Sequence, residues 1–166
     1  MASPKHSKTP LPGLQRAVLA MQIILSPNIT LARGHVSGVK DDATTTDNIV
    51  ESLFLMRAHR SCYENAPCGD VGLSLQLMQA MLELAKIYQY EISEIAGGSH
   101  SKGSRHYAGV AMDVSKINGQ PVSSKNKLVA PFMKKCKSLG ATEVLGPGYP
   151  GHSGHVHAAW PRPKSG

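Results

Sequence analysis

The chain has few aromatic residues and no long apolar run. Aromatic side chains make up only 5% of its 166 residues, so a hydrophobic core has to be built mainly from aliphatic residues. No stretch approaches the roughly 20 apolar residues needed to cross a bilayer, which argues against a membrane span. An apolar fraction of 41% is ordinary for a globular protein. We therefore expect one domain over residues 14–166, preceded by a flexible, proline-containing lead-in at 1–13.

The positive charge of the chain is not concentrated in any block. The formal net charge is +7, which suits a protein that meets nucleic acid, an acidic membrane surface or an anionic cell wall. The lysines and arginines are spread along the chain, and no aromatic residues alternate with them, as they do on a surface that stacks single-stranded bases. We therefore expect no nucleic-acid partner and place a cell-wall polymer first.

Cysteine is scarce, and its count of three is odd. Cys62 and Cys68 lie six residues apart across a turn-rich segment. Either they form a disulfide, as suits an exported protein, or all three thiols are reduced, with Cys136 buried in a helix. The N-terminus is polar, and the apolar run at 17–25 has no clear cleavage site, so it is a poor signal peptide. A removed leader, another export route or release by lysis would each give an extracellular, periplasmic or wall-associated protein.

The hydrophobic periodicity predicts helices first and short strands last. Helices are predicted at 14–25, 49–60, 74–88 and 127–139, and strands at 90–95, 110–117, 143–145 and 155–160. The first helix is apolar nearly all round, which predicts that it is buried, and segment 29–39 fits a short strand or an irregular loop. This order indicates an α+β fold in which the helices pack on a small antiparallel sheet.

Five of the eight histidines fall in two short polar stretches. The members of these stretches that can carry chemistry are His100, His106 and Asp113 in the first, and His152, His155 and His157 in the second. Side chains two apart in a strand point the same way, so His155 and His157 share a face, and Asp113 shares a face with the small Ala111. We interpret His100 as a loop residue near the rim of this site.

If the two strands pair, His106, Asp113 and His157 can converge as two imidazoles and one carboxylate. A catalytic zinc takes three such ligands, keeps a fourth position for water and lowers the pKa of that water toward neutrality. A nearby imidazole such as His155 can take the proton and pass it to a leaving amine. The pattern therefore predicts one zinc ion and the hydrolysis of an amide. The histidines without companions are interpreted as surface residues: His6, His35 and His59.

The residues around His106 resemble a known motif. Ser104-Arg105-His106-Tyr107-Ala108-Gly109-Val110-Ala111-Met112-Asp113 is similar to the Ser-X-His-X-X-Gly-X-Ala-X-Asp motif of zinc D-Ala-D-Ala carboxypeptidases. These enzymes belong to a wider group with lysostaphin-type endopeptidases and the hedgehog signalling domain. The resemblance covers about residues 73–160, and it implies a zinc peptidase that uses the three ligands named above. Residues 1–72 match no named pattern and are an N-terminal extension or part of the substrate groove.

The second histidine cluster resembles the form found in the bacterial members of this family. By that resemblance His155 is the catalytic base, and His152 stabilises the oxyanion or the substrate carboxylate. Some members place a glutamate three residues before the last ligand, where this chain has Gly154. This difference favours the histidine form. Glu143 is either an extra acid near the site or an exposed strand residue.

The resemblance implies a peptidoglycan stem peptide as substrate, and we expect the protein to act as a monomer. Arg105 or Lys102 can hold a peptide carboxylate through charge-assisted hydrogen bonds, although a solvent-exposed arginine is an equal interpretation. Ser104 and Tyr107 either bind the substrate or shape the loop. A D-Ala-D-Ala carboxypeptidase is the first expectation, an endopeptidase or endolysin the second, and a non-catalytic, hedgehog-like zinc module the third.

Overall fold

The computed structural model describes residues 11–164. Its helices are α1 (Pro12–Leu25), α2 (Thr45–Leu53), α3 (Leu75–Ala85) and α4 (Val129–Ser138). Its strands are β1 (Ile29–Leu31), β2 (Ala58–His59), β3 (Asp70–Val71), β4 (Tyr90–Glu94), β5 (Ala111–Ile117), β6 (Gln120–Pro121), β7 (Glu143–Leu145) and β8 (Val156–Ala159). A 3-10 turn at His106–Ala108 precedes β5. Within residues 11–164, the helices are too short or too polar to cross a membrane.

The main sheet has six strands and is mixed. Its order is β1-β4-β5-β8-β7, with β6 paired to the other end of β5, while β2 and β3 form a separate hairpin. The α+β class is confirmed, but the small antiparallel sheet is wrong. Strand β1 lies parallel to β4, because α2, β2, β3 and α3 intervene and give the chain the long crossover that a parallel pair requires.

One apolar core joins all four helices to one face of the main sheet. Met112, Val114 and Val156 point into this core together with residues such as Leu77 and Phe132. Since side chains alternate along a strand, Asp113 and His157 stand on the opposite face. The core face predicted for Met112 and Val114 is confirmed.

The first helices differ from their prediction. Helix α1 begins at Pro12, because proline is favoured in the first turn, and the remainder of the predicted lead-in, residues 1–10, lies outside the described residues. The face of α1 that carries Leu14 and Val18 is about half exposed, at 52% and 45%. The burial predicted all round α1 is therefore wrong. Helix α2 ends at Leu53 rather than at 60, since Leu55 takes a left-handed φ of 64°.

The structure contains one disulfide and one free thiol. Cys62 and Cys68 form a disulfide in the loop that joins β2 to β3. Cys136 is a free thiol buried in α4, and burial raises its pKa to about 12. The disulfide closes a short loop, and the buried thiol is unreactive at neutral pH.

Two glycines let the segment between β4 and β5 pack closely against the backbone of Ala43 and Gly72. A Cβ on Gly97 would lie 1.9 Å from the carbonyl oxygen of Ala43, so no other residue fits there without movement of the backbone. Gly109 ends the 3-10 turn with a φ of 67°, and a Cβ there would lie 2.7 Å from the carbonyl oxygen of Gly72. These contacts set the position of His106.

Candidate metal centre

Three buried side chains from separate elements meet on the open face of the sheet. His106 begins the 3-10 turn, and Asp113 on β5 is the register partner of His157 on β8. His106 Nε2 lies 3.1 Å from Asp113 Oδ1 and 3.1 Å from His157 Nδ1, which is itself 3.0 Å from Asp113 Oδ1. Ligand atoms around a tetrahedral zinc lie roughly 3.3 Å apart, so these three atoms form one face of such a site to within a few tenths of an ångström.

The outer nitrogen of each imidazole is bonded to a fixed acceptor. His106 Nδ1–H donates to the carbonyl oxygen of Ile95 over 2.6 Å, and His157 Nε2–H donates to Glu143 Oε1 over 3.0 Å. Each bond selects the tautomer whose lone pair faces the other two ligand atoms. Metal-binding histidines in proteins are held in the same way. Glu143 therefore lies beside the site, as one of its two interpretations predicted.

Asp113 is held as an anion. Burial alone would raise the pKa of its carboxyl group. When the inner nitrogens of His106 and His157 carry protons, the charge of His106 and the hydrogen bonds from both rings outweigh that effect and hold the pKa of Asp113 well below its usual range. When those protons leave, the centre offers one anionic oxygen and two nitrogen lone pairs, a donor set that zinc accepts.

A second group of three side chains also brings its ligand atoms close together. Those of His100, His106 and Asp113 lie within 4.8 Å of one another, so this group too could hold a metal ion. The rings of His100 and His106 are stacked, however, with centroids 3.8 Å apart and planes 6° from parallel. The lone pair of an imidazole nitrogen lies in the plane of its ring. Because the two rings are parallel and stacked, an ion in the plane of the His106 ring cannot also lie in the plane of the His100 ring. The planes of His106 and His157 are 55° apart and can converge on one ion, so we prefer that set.

His100 lies closer to the centre than the rim position expected for it. It is half-buried on His106, and its Nε2–H donates to the carbonyl oxygen of Gly97 over 3.0 Å. Burial, with a smaller contribution from the charge of His106, lowers the pKa of His100 to about 4. A neutral ring in this place supports the orientation of His106.

His155 and His152 stand beside the three ligand atoms on the solvent side. His155 Nε2 is 4.0 Å from Asp113 Oδ1, and its side chain is 31% exposed. Burial lowers the pKa of His155, which keeps the ring mainly neutral at pH 7. The ring of His152 lies 4.8 Å from that of His155, and its Nδ1–H donates to the carbonyl oxygen of Pro150 over 2.8 Å. The catalytic roles of both histidines stay predictions.

An open cleft of about 830 Å³ lies above these residues. The turn at 151–157 forms one side of it, and residues from the first seventy form the other: Val36, Ser37 and Tyr63. The hydroxyl groups of Ser37 and Tyr63 are 2.9 Å apart, which links the two loops of that wall. Residues between positions 36 and 63 therefore line this cleft, and its role as a substrate groove stays a prediction.

Of the predicted carboxylate-binding residues, Arg105 lines the cleft and Lys102 does not. One terminal nitrogen of Arg105 donates to Thr142 Oγ1 over 2.8 Å and to the carbonyl oxygen of Trp160 over 3.2 Å. These bonds anchor the guanidinium group at one end of the cleft, and Arg105 Nε lies 3.9 Å from Glu143 Oε2, so the guanidinium group also pairs with that carboxylate. Lys102 is exposed outside the cleft.

Ser104 and Tyr107 both take part in the structure of the loop that carries His106. Ser104 Oγ accepts a hydrogen bond from the backbone N–H of His106 over 3.3 Å. The Tyr107 hydroxyl accepts from the backbone N–H of His100 over 2.7 Å and donates to the carbonyl oxygen of the same residue over 3.1 Å. This geometry favours the loop-shaping alternative for Tyr107, while Ser104 also lines the cleft.

A second buried ionic group, which the sequence does not predict, lies beside the cleft. His35, interpreted as a surface residue, is buried, with Nε2 2.6 Å from Asp41 Oδ1 and Nδ1 2.9 and 3.0 Å from the two carboxylate oxygens of Glu94. The surface interpretation of His35 is wrong. These three residues share no local spacing, so only the fold could bring them together. His59 remains partly exposed, with 40% of its side chain accessible.

Comparison with protein-family models, with curated proteins and with solved structures finds no match to this chain. The resemblance to zinc peptidases therefore depends on the motif residues, and the geometry described above is independent of it.

Proposed function

We propose that this protein is a zinc-dependent peptidase that hydrolyses peptidoglycan stem peptides, in the first instance a D-Ala-D-Ala carboxypeptidase. The observation that carries the proposal is the triangle of His106 Nε2, Asp113 Oδ1 and His157 Nδ1, with edges of 3.0 to 3.1 Å, beneath an open cleft. The motif that contains His106 and Asp113 supplies the substrate class. The net charge of +7 suits an anionic wall.

Zinc fits the donor set better than a harder cation. Magnesium and calcium prefer sites made of oxygen ligands, whereas two imidazoles and one carboxylate are a ligand set of catalytic zinc. His106, Asp113 and His157 would hold the ion, and Ile95 and Glu143 would fix the two rings. When bound, zinc would supply Lewis acidity and activate water for attack near neutral pH.

The remaining residues move protons and hold the peptide. His155, beside the ligand triangle and partly exposed, accepts a proton from the attacking water and delivers it to the leaving amine nitrogen. His152 stabilises the oxygen on which charge develops as an imidazolium, with Nδ1–H bonded to Pro150 and Nε2–H donated to that oxygen. Arg105, at one end of the cleft, binds the terminal carboxylate through its second terminal nitrogen, while Thr142 and Trp160 hold the first and Glu143 lies 3.9 Å from Nε.

The size of the cleft favours one second candidate, a peptidoglycan endopeptidase. A volume of about 830 Å³ lies toward the upper end of the roughly 300 to 1,000 Å³ found for small-molecule sites. A peptide can therefore extend on both sides of the ligand triangle. A non-catalytic zinc module is less well supported, since a purely structural site requires neither His155 nor His152 beside it.

Product analysis tests the proposal directly. Zinc-loaded and chelator-treated protein would be incubated with purified muropeptides, and the products identified by mass spectrometry. Zinc-dependent release of single D-Ala residues would support the carboxypeptidase, and zinc-dependent cleavage of cross-links would support the endopeptidase. The absence of any product from protein that holds zinc would overturn both and favour the non-catalytic module.

Replacing His155 with Ala separates catalysis from metal binding. We expect kcat/KM to fall about 10²- to 10⁴-fold, because a proton carrier is lost, while zinc remains bound. Zinc content would be measured by atomic absorption and hydrolysis by release of D-Ala. His59→Ala removes a histidine outside the cleft and should change neither quantity. Loss of zinc from the His155 variant would mean that His155 is a ligand and that the roles are reversed.

A further inference from the structure

A buried chain of three ionisable residues ends at the cleft. Asp41 Oδ1 lies 2.6 Å from His35 Nε2, and His35 Nδ1 lies 2.9 and 3.0 Å from the two carboxylate oxygens of Glu94. Asp41 Oδ1 also accepts the backbone N–H of Ala43 over 2.9 Å, which fixes the far end. With a carboxylate at each ring nitrogen, His35 can donate both hydrogen bonds only as an imidazolium. In that form His35 holds both oxygens of Glu94 in one orientation, while burial raises the pKa of the Glu94 carboxyl group.

Glu94 stands in the same row of the sheet as two of the proposed zinc ligands. It is the register partner of Asp113, and Asp113 is the register partner of His157. Directly opposed residues of antiparallel strands point to the same face, at a strand spacing of about 4.8 Å. Glu94 therefore lies one strand away from Asp113 on the cleft side, and it lines the cleft.

The carboxylate of Glu94 retains acceptor capacity toward the cleft. Among residues 11–164, the hydrogen bonds recorded for its side chain are those to His35 alone. An ionised carboxylate offers about four lone-pair sites, so more than one remains unused. Buried ion pairs generally stabilise a fold no more than apolar residues of similar volume. A buried group of this kind beside a cleft is therefore better explained by binding than by stability.

Glu94 and Arg105 stand at opposite ends of the cleft, and Glu143 lies beside Arg105. Glu94 is on β4, whereas Arg105 is bonded to Thr142 and Trp160 next to β7 and β8. Strands β5 and β8, which carry Asp113 and His157, lie between the two ends. A peptide whose terminal carboxylate meets Arg105 thus runs across the ligand triangle with its acyl side directed toward Glu94.

We propose that Glu94 binds an ammonium group on the acyl side of the substrate peptide, and that His35 and Asp41 are positioning residues that hold its carboxylate for this contact. This inference rests on the proposed function, because the direction of the peptide follows from cleavage near a terminal carboxylate. Val36 and Tyr63 line the same cleft and can pack on the methylene stem of an amine-bearing side chain. The substrate class is therefore a peptide with a free side-chain amine, such as lysine, before the residues that are removed.

Calorimetric binding to zinc-loaded protein tests the proposal. The probes are two stem pentapeptides that end in D-Ala-D-Ala, with a ketomethylene in place of the terminal amide so that neither is cleaved. One carries a free lysine amine and the other the same lysine acetylated on Nζ. We expect the free amine to bind at least about tenfold more tightly, as a charge-assisted hydrogen bond requires. Equal affinity of the two peptides for the unchanged protein would overturn the proposal without any variant.

Glu94→Gln should abolish the preference for the free amine and leave binding of the acetylated peptide and of zinc unchanged. His35→Gln should reduce the preference, since the carboxylate remains but is no longer held. Glu91→Gln is the matched control, because Glu91 lies on the same strand, bonds to Ser115 and Lys116 and does not line the cleft. Retention of the preference in Glu94→Gln, or loss of zinc from it, would contradict the assignment.

The outcome is separable from that of the proposed function. If the protein prefers the free amine through Glu94 but hydrolyses no muropeptide, the proposed amine site is supported and the proposed peptidase activity is wrong. If muropeptides are hydrolysed but both probes bind alike, the peptidase stands and the role of Glu94 is wrong.

Discussion

The two parts of the chain contribute to the cleft in different ways. Residues 73–160 carry the motif and every side chain of the ligand triangle, and their strands are neighbours in the sheet. Residues 11–72 carry no recognisable motif, yet they supply one wall of the cleft and the histidine that holds Glu94. The comparison teaches that a short motif marks where a metal can bind, whereas the walls of the cleft above it are built by contacts between distant segments.

The largest effect is expected where the two parts touch, at Gly97. In Gly97→Ala the new Cβ would meet the carbonyl oxygen of Ala43 at 1.9 Å, so the backbone of one part has to move. We expect a loss of at least about 3 kcal/mol of unfolding free energy, or no folded protein, because overpacking here acts on backbone rather than on a flexible side chain. Urea unfolding followed by circular dichroism measures the change.

Gly34→Ala is the matched control, since a Cβ at Gly34 meets nothing within 4 Å. Its stability should change by no more than about 1 kcal/mol. If Gly97→Ala were as stable as this control, the close packing of the two parts would be disproved.

The next effect concerns the motif part alone. Asp113→Ala removes one ligand of three and should weaken zinc binding at least about 100-fold, which would be measured by competition with a chromophoric chelator. His100→Ala should weaken it only a few-fold, because His100 stacks on His106 without facing the same ion. A large loss of zinc in His100→Ala together with a small loss in Asp113→Ala would exclude the ligand set proposed here.

A smaller effect is expected from the residue that orients a ligand. Glu143→Ala removes the acceptor for His157 Nε2–H and should weaken zinc binding roughly 10- to 100-fold. Glu83→Ala, on the exposed surface of α3 and paired with Lys86, should leave zinc binding unchanged. An unchanged affinity in Glu143→Ala would show that the tautomer of His157 is set by something other than this bond.

The smallest effect on the metal centre should come from the disulfide of the first part. Replacing Cys62 and Cys68 with Ser should lower the unfolding free energy by about 2 kcal/mol, as expected for a short loop, while zinc affinity stays the same. A reducing agent should have the same effect on the unchanged protein and none on the variant. A parallel loss of zinc affinity would show that the two parts are more tightly coupled than the structure indicates.

The strands that bear the site were predictable because their signals are local. The alternation around Asp113 and His157 indicated which side chains face the core, and the pairing of β5 with β8 brings them together as expected. Segment 29–39 fits a strand or a loop, because the three residues of β1 give too short a pattern to distinguish them. The antiparallel sheet predicted from the other strands is wrong for the same reason, since β1 is the strand that pairs in parallel.

The parts of the site that the sequence did not indicate depend on contacts between distant residues. Nothing near His35 suggests that it meets Glu94, because a sequence separation of 59 leaves no spacing to recognise. The end of α2 was missed for a related reason. Met56 continues the helical spacing of Ile49, but Leu55 adopts a backbone conformation that no helical pattern reveals.

The close approach of Gly97 to Ala43 also has an evolutionary consequence. A protein that shares the motif but carries any side chain at the position of Gly97 cannot pack a carbonyl group there, and it has to border its cleft with a different segment. The residue at this position therefore distinguishes two groups of sequences that share the motif. In one group the N-terminal segment can form the same wall of the cleft, and in the other a different segment has to form it.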